Sequence, residues 1–253
     1  MQKYFITKND LENHTIFGDD CHHISNVMRF KTNDRVLVSD GEKTYLVSLK
    51  TISSNEVSFE IIEEKIGNVE LPVFVSIFQG YPKADKIEEI IKHGTELGAS
   101  LFTPTLMKRS VFKLDPKKKE TKLARFNKIA KEAAEQSNRD IVPLVDDIID
   151  LKKIDFSSYN YKILCYEENA KNNELTNFKG IVSNLKINDR VAIVIGPEGG
   201  IDDSELNYLK SIGFIPASLG PRILRTETAV FYCLSAISYE MELKKWDRLV
   251  LLP

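Results

Sequence analysis

Cysteine is scarce in this chain, and its spacing excludes two classes of structure. The 253 residues include three cysteines, Cys21, Cys165 and Cys233, and no two of them form a Cys-x-x-Cys pair. Disulfide-dependent domains are dense in cysteine, and structural zinc sites place cysteines in close pairs. We therefore expect neither a disulfide framework nor a thiolate metal site, and we expect the three side chains to be small core residues.

The chain also lacks a long apolar segment. No apolar run is long enough to cross a bilayer, and the amino terminus lacks the basic, apolar and small-residue order of a secretory signal. With 42% hydrophobic and 28% charged residues, the composition is that of a globular protein. These absences predict a cytoplasmic protein with no membrane partner.

Two nucleotide-binding signatures and a metal cluster are missing as well. The chain contains neither GxGxxG nor GxxxxGK, so it does not fit an NAD-using enzyme or a phosphate-loop enzyme. His22 and His23 are adjacent, which points their side chains apart, and no carboxylate or cysteine cluster joins them. We expect a structural or helix-capping role for these histidines and no metal.

The formal net charge of −2 conceals a local excess of basic residues. The segment from Lys108 to Arg139, called the basic band below, holds eleven basic residues against four acidic ones. Such a band in an otherwise acidic chain suits a phosphate backbone. A solvated helix face held by ion pairs is the alternative, and the sequence alone leaves it open.

Residues 1 to about 70 contain short strand patterns separated by turn residues. The predicted strands are Lys3–Ile6, Arg35–Ser39, Thr44–Ile52 and Val57–Ile62. Close turns without a long helical pattern are typical of a small β-barrel. The pattern changes near Gly67 to Pro72, which predicts two domains, 1–70 and 71–253.

From Val73 onward, apolar strand patterns alternate with helical ones, which indicates an α/β fold with a parallel sheet. A nearly all-apolar helix from Ala229 to Ile237 would be buried inside the fold or against another subunit. The predicted helices before it are Ala84–Leu97, Thr121–Ser137 and Asp203–Ile212. The predicted strands are Val73–Phe78, Leu101–Leu106, Ile141–Val145, Lys162–Tyr166, Arg190–Ile195 and Ile215–Leu219.

The strongest local signal is the run Val191–Ile195, which has no polar alternation and reads as a strand covered on both faces. It breaks into the glycine-rich turn 196–200. Asp202 stands three residues before Glu205, a capping-box spacing that starts a helix. Ligands bind at the carboxyl ends of such strands, and glycines let them approach the backbone closely.

Two loop phrases carry a family resemblance, IGPEGG at 195–200 and LGPRILRTETA at 219–229. Together with CHHISNVMRF at 21–30 and EAAEQSNR at 132–139, they resemble the RsmE-type methyltransferases of the SPOUT class. The resemblance implies a carboxyl-terminal trefoil knot that binds S-adenosyl-L-methionine and a PUA-like β-barrel that binds RNA. It further implies a homodimer that methylates N3 of one uridine in 16S rRNA, in the 30S subunit.

The resemblance also implies roles for particular residues. The expected cofactor-binding residues are Gly196, Pro197, Gly199, Gly200, Leu219, Gly220, Ile223 and Leu224. The expected RNA-binding residues are Arg29, Lys108, Arg109, Lys117, Lys118, Lys119 and Arg139. A non-catalytic ribosome-assembly factor would need only the basic band and the barrel, and it remains the alternative function.

Methylation of uridine N3 requires loss of the N3 proton, which places negative charge on the flanking carbonyl oxygens. A cation facing those oxygens would stabilise that charge, and we expect Arg225 to supply it. Glu198 and Glu227 are the candidate bases. Glu227 could instead favour the dipole of the following helix, and Glu198 could bond amides within its own turn.

Overall fold

The computed structural model describes residues 1–67, 69–83, 86–111, 116–167 and 176–244. Contacts along the chain divide it into two compact units. The first unit contains Met1–Glu70 and Lys131–Val142, and the second contains Leu71–Ala130 and the described residues from Pro143 onward. The chain therefore returns to the first unit at Lys131–Val142. The predicted division at residue 70 does not include this return.

The first unit is a five-stranded mixed sheet with short helices. Its strands are β1 (Lys3–Phe5), β2 (Thr15–Phe17), β3 (Arg35–Ser39), β4 (Thr44–Ile52) and β5 (Glu56–Lys65), in the order β1-β3-β4-β5-β2. β1 and β3 are parallel, and the other pairs are antiparallel. Helix α1 (Lys8–Glu12) and helix α2 (Gly18–His22), which continues into a π-helical turn at His23–Val27, lie between β1 and β3 in the chain.

Alternating apolar residues on these strands form the core of the first unit. Val36 and Val38 of β3 and Val47 and Leu49 of β4 are fully buried, as expected for strands with one face on a core. The predicted bounds of β3 and β4 are confirmed. No sequence pattern predicted β2, α1 or α2, because three to five residues are too few to show a period.

A polar cluster attaches the returning segment to the first unit. Lys3 Nζ donates to Arg139 O at 2.8 Å and to Asp140 Oδ1 at 2.8 Å. The Arg139 guanidinium forms a forked ion pair with Glu70. The Glu70 carboxylate belongs to the same unit, so it neutralises the Arg139 guanidinium although the arginine is buried.

The second unit is built on a parallel sheet, as the alternation predicted. Its strands run in the order β12-β10-β11-β6-β7-β8, with β9 also paired to β7. Every pairing is parallel. The strands are β6 (Phe74–Gly80), β7 (Leu101–Leu106), β8 (Leu144–Val145), β9 (Ile149–Asp150), β10 (Tyr161–Cys165), β11 (Arg190–Ile195) and β12 (Ile215–Ala217).

Helices follow most of these strands. They are α3 (Lys86–Glu96), α4 (Pro116–Gln136), α5 (Asn177–Asn184), α6 (Asp203–Ser211) and α7 (Thr226–Ser238), with a π-helical turn at Tyr239–Lys244. The last residues of α4, from Lys131 onward, belong to the first unit. α7 packs against α3 and β11. Val230, Cys233, Leu234 and Ile237 of α7 are fully buried, so the predicted apolar helix covers the sheet.

β11 lies inside the sheet, between β6 and β10, and all its residues after Arg190 are buried. Its last residue, Ile195, is level with Gln79 of β6 and Cys165 of β10, and Cys165 is level with Ala217 of β12. The four strands thus end in one row. The chain segments that follow them emerge at the same edge of the sheet, where a ligand site is expected.

Several predicted bounds differ from the observed ones by a few residues, and two of these differences have a physical reason. The strand predicted over Ile141–Val145 pairs only at Leu144 and Val145, because Ile141 and Val142 belong to the first unit. α4 begins at Pro116 rather than Thr121, since proline is well suited to the first turn of a helix. Ala84 of a predicted helix and Lys113 of the basic band lie outside the described residues.

Cys21 and Cys233 are buried, as predicted for small core residues, whereas Cys165 is partly exposed. In the part of the chain that the structure describes, no helix is long and apolar enough to cross a membrane. The same ranges contain no group of three His, Cys, Asp or Glu side chains that could hold a metal ion. The trefoil knot implied by the resemblance stays a prediction.

Candidate cofactor site

The first loop of the site is a tight turn that requires glycine. The Gly200 amide donates to Pro197 O at 2.8 Å, and Gly200 has a φ of 73°, a left-handed conformation that glycine adopts without strain. A Cβ on Gly196 would lie 2.8 Å from Ile201 Cγ1. The sequence therefore folds this segment into a compact turn directly beyond β11.

A capped helix follows the turn. The Asp202 side chain accepts from the Ser204 amide, and the Glu205 side chain accepts from the Asp202 amide, so the predicted capping box is present. Bonds from Ser204 and from the Lys108 ammonium lower the pKa of Asp202 to about 2. The carboxylate is therefore ionised at neutral pH and fixes the start of α6.

The second loop, residues 218–225, leads into α7. Gly220 has a φ of 116°, and no atom lies within 4 Å of the position that a Cβ would take, so the loop is open at this point. Arg225 is the N-cap residue of α7, and its side chain makes no capping bond. Its guanidinium remains exposed beside the loop.

A buried polar network joins the two loops. Thr226 Oγ1 donates to Gly196 O at 2.7 Å and accepts from Gln79 Nε2 at 2.7 Å. Gln79 Nε2 also donates to Gly80 O at 2.9 Å. Gln79 is 1% exposed and Thr226 is 8% exposed, so solvent does not compete for these bonds. The network fixes the start of α7 against the end of β11.

An ion-paired cluster joins the same loops nearer to solvent. Glu198 accepts from the Lys83 amide through both carboxylate oxygens, at 3.1 and 3.2 Å. Lys86 Nζ lies 3.2 Å from Glu198 Oε1 and 3.3 Å from Glu227 Oε2. Partial burial alone would raise the pKa of Glu198, but amide bonds and the Lys86 charge outweigh it and lower the pKa.

A cavity of about 900 Å³ lies between the two loops, within the second unit. Its size suits a cofactor or a small nucleotide. The predicted cofactor-binding residues and two of the three predicted catalytic residues line it: Gly196, Pro197, Glu198, Gly199, Gly200, Leu219, Gly220, Ile223, Leu224 and Arg225. Glu227 does not line the cavity, but its carboxylate pairs with Lys86, which does.

Comparison with known proteins identifies the family of this site. The RNA methyltransferase domain profile matches residues 69–238, and the RNA methyltransferase PUA domain profile matches residues 18–62. Ribosomal RNA small subunit methyltransferase E of Bacillus subtilis (strain 168) is 44% identical, over 98% of this chain and 100% of the relative. This chain belongs to the ribosomal RNA small subunit methyltransferase E family.

Two further members of the family extend the comparison. A Synechocystis protein of the same name is 32% identical, over 90% of this chain and 73% of the relative. The crystal structure of the Neisseria gonorrhoeae protein of that name, bound to S-adenosyl methionine, has 25% identity and a TM-score of 0.79, over 94% and 97% of the two chains. The fold is therefore α/β with a parallel sheet, preceded by a PUA-like mixed sheet.

At least four of the seven predicted RNA-binding residues contact other protein groups in the described part of the chain. Lys108 Nζ lies 3.1 Å from Asp202 Oδ1, and its amide donates to Glu205 Oε1 at 2.8 Å. Arg109 donates to Gly199 O at 3.3 Å and lines the cavity. The two others are paired with carboxylates: Lys119 with Asp147 and Arg139 with Glu70.

These contacts bear on the two interpretations of the basic band. At 4% exposure, Arg139 is placed to stabilise the first unit rather than to reach a phosphate. Lys117 and Lys118 are exposed at the start of α4, and Arg29 is exposed in the first unit with a φ of 54°. RNA contact by any of these residues stays a prediction.

Sequence reasoning missed the residues that hold the loops together, Gln79, Lys86 and Thr226. Gln79 and Lys86 lie at the end of β6 and in the helix that follows it, far from the loops in sequence. The carboxyl-end rule for parallel sheets could have pointed to them, had the pairing of β6 with β11 been known. Thr226 lies inside the quoted phrase LGPRILRTETA but shows no separate signal.

Proposed function

We propose that this chain transfers a methyl group from S-adenosylmethionine to N3 of one uridine in small-subunit (16S) rRNA. The names of the relatives support the rRNA substrate, and the cofactor bound to the gonococcal relative supports the methyl donor. The resemblance in the two loops supports N3 of uridine as the target. The observation in this chain that carries the proposal is the cavity that residues of both loops line, Arg225 among them.

The cavity fits the cofactor in size and in lining. The turn at Gly199 and Gly200 carries no side chains of its own and packs against Arg109, and Gly220 leaves open space. Leu219, Ile223 and Leu224 supply apolar surface for an adenosine. Ile223 is 74% exposed, as expected of an apolar wall that a ligand would cover.

When bound, the cofactor supplies an electrophilic methyl group on a sulfonium. The residues of this chain must then position the uracil and stabilise its negative charge as N3 loses its proton. The Arg225 guanidinium lines the cavity and forms no ion pair within the described residues, so it can face a uracil carbonyl oxygen. A planar, permanently charged fork is well suited to two acceptor atoms.

Glu198 and Glu227 are less suited to accept the proton. Both carboxylates share the Lys86 ammonium, and Glu198 also receives the Lys83 amide. The lowered pKa of Glu198 makes it a weak base. We therefore propose that these residues hold the site, and that the proton passes to solvent or to a group on the RNA.

Nucleoside mass spectrometry of 16S rRNA, from cells with and without this protein, tests the proposed function. N3-methyluridine should be present in the first sample and absent from the second. Equal amounts in both samples would refute the proposal and favour a non-catalytic assembly factor. Comparing free 16S rRNA with assembled 30S subunits as substrates then tests the expectation that the subunit is the target.

Arg225→Ala tests the residue assignment. Removal of one transition-state donor typically lowers turnover about 10²–10³-fold, and Arg225→Lys should recover little. Cofactor affinity and melting temperature should stay close to those of the unsubstituted protein. Lys210→Ala, on the exposed end of α6, is the matched control. Joint loss of cofactor affinity, stability and activity in Arg225→Ala would instead assign a structural role.

We further propose that the first unit and the start of α4 bind RNA through exposed cations, among them Arg29, Lys117 and Lys118. Replacing Lys117, Lys118 and Lys119 together with alanine should weaken RNA binding and flatten its salt dependence without changing cofactor affinity. An unchanged salt slope would favour the alternative, a helix face held by ion pairs such as that of Lys119 with Asp147.

A homodimer in the cytoplasm completes the proposal. Beyond the buried face of α7, Tyr239 and Leu243 expose 60% and 70% of their surfaces, and Tyr232 is also exposed. An apolar strip of this kind suits a second copy of the chain. Light scattering at micromolar concentration should give twice the 28.8 kDa chain mass, and a monomer alone would refute the dimer.

A further inference from the structure

We infer that Lys86 is a positioning residue of the cofactor site, because its ammonium holds the carboxylates of Glu198 and Glu227 and thereby keeps the two loops together around the cavity. The inference rests on the proposed function, since it takes S-adenosylmethionine as the ligand of that cavity. Lys86 is assigned no contact with the reacting atoms. Its role is to set the geometry of groups that line the site.

The contacts of Lys86 join three separate elements. Lys86 lies in the first turn of α3, Glu198 lies in the turn after β11, and Glu227 lies in the first turn of α7. The Nζ atom is 3.2 Å from Glu198 Oε1 and 3.3 Å from Glu227 Oε2, at nearly equal distances. The side chains of Glu198 and Glu227 expose 28% and 13%, so the pairs are partly shielded from solvent.

Removal of the ammonium would affect the two carboxylates differently. Glu198 would keep the two bonds from the Lys83 amide. Glu227 would lose the one cation that contacts it in the described part of the chain. The two carboxylates would then lie on either side of the vacated Nζ position, where two like charges repel each other.

Other charged groups near the site do not take over this role. On α3, Glu88 is paired with Arg125, and Glu89 is exposed. Beyond the glycine-rich turn, Asp202 is paired with Lys108. The cations that also line the cavity are Arg109, Arg222 and Arg225, and none of them contacts Glu198 or Glu227 in the described residues.

The variant Lys86→Met tests the inference, because methionine keeps the length of the side chain and removes its charge. At neutral pH, S-adenosylmethionine affinity should fall roughly two- to fivefold relative to the unsubstituted protein, the size expected for a partly exposed ion pair. Lys86→Arg should retain most of the affinity. Lys92→Met, an exposed position on the same helix, is the matched control and should bind normally.

The pH dependence of the affinity ratio separates electrostatic positioning from simple packing. In Lys86→Met, protonation of one carboxylate relieves the repulsion, so the deficit should shrink at about pH 5.5 and grow toward about pH 8. Neutralising the partner in Lys86→Met/Glu227→Gln should restore most of the affinity and remove this pH dependence. All variants should be measured by calorimetric titration in the same buffers. The pH dependence that comes from ionisation of the ligand itself then cancels in the ratio of affinities.

Each outcome decides the inference. Normal affinity of Lys86→Met at every pH overturns the inference. A loss of affinity that the added Glu227→Gln change fails to repair also overturns it, because Lys86 would then act on the ligand directly or by packing. Failure of the unsubstituted protein to bind S-adenosylmethionine would refute the proposed function instead. In that case the ion pair itself can be tested by the coupling energy between Lys86 and Glu227, measured in a double-mutant cycle of unfolding free energies. A coupling energy of zero would overturn the inference.

Discussion

The hydroxyl of Thr226 offers the most direct test of how the two loops are held. It donates to Gly196 O at 2.7 Å and accepts from Gln79 Nε2 at 2.7 Å, and all three groups lie at the end of the parallel sheet. The substitution Thr226→Val keeps the shape of the side chain and removes both bonds. We therefore expect it to lower both the stability of the second unit and the affinity for S-adenosylmethionine.

The expected loss in the free energy of unfolding depends on which polar groups lose a hydrogen-bond partner. Gly196 O keeps only a long bond from Gln79 Nε2, at 3.4 Å, whereas Gln79 Nε2 keeps Gly80 O at 2.9 Å. One carbonyl is thus left poorly paired in a buried position, which costs about 1–3 kcal/mol, and the second bond adds about 1 kcal/mol at most. We expect a loss of roughly 2–3 kcal/mol in the free energy of unfolding.

Denaturant unfolding and calorimetric titration measure the two effects. A loss of this size should lower the melting temperature by about 4–12 °C in a domain of this size. Thr226→Ser keeps the hydroxyl and should lose only about 1 kcal/mol through the missing methyl group. Thr228→Val, an exposed position in the same helical turn, is the control. A Thr226→Val protein within about 0.5 kcal/mol of the unsubstituted one would refute this reasoning.

Two further substitutions test packing and pH dependence. Gly80→Ala would place a Cβ 2.5 Å from Pro197 Cδ, so it should displace the glycine-rich turn. Cofactor affinity, measured by titration, should fall at least tenfold. A Cβ in the control Gly180→Ala would meet no atom within 4 Å, so this variant should bind the cofactor normally. Burial raises the pKa of Glu135 from 4.5 to about 7, so the folded state binds this proton more tightly than the unfolded state. Its stabilising contribution is complete below about pH 4.5 and is lost as pH rises through 7. Glu135→Gln should therefore raise the unfolding midpoint at pH 8 but not at pH 4, and equal shifts at both pH values would contradict this.

Much of the second unit could be predicted from local patterns. The run Val191–Ile195 contains only apolar residues because β11 is covered on both faces, and Asp202 and Glu205 form the capping box that their spacing indicates. The glycines of the first loop are needed where the backbone turns back on itself. These features depend on neighbours within a few residues, so the sequence carries them directly.

The partners of charged residues could not be predicted in the same way. Arg139 counts toward the basic band in the sequence, yet Glu70 neutralises it inside the first unit. Lys86 looks like a surface lysine at the start of a helix, yet it contacts the glycine-rich turn and the first turn of α7, which are distant from it in the chain. Such pairs depend on sheet order and on the return of a segment to an earlier unit, and neither is written in local periodicity.

The two connections between the loops differ in a way that matters for binding. The Gln79–Thr226–Gly196 network is buried and uncharged, so dissolved salt hardly affects it, and it fixes where α7 begins relative to β11. The Lys86 pairs are partly exposed and lie beside the cavity, so ions and pH can weaken them while the inner network stays intact. The outer connection is therefore the one that solution conditions can weaken, while the inner one keeps the backbone of the site in place.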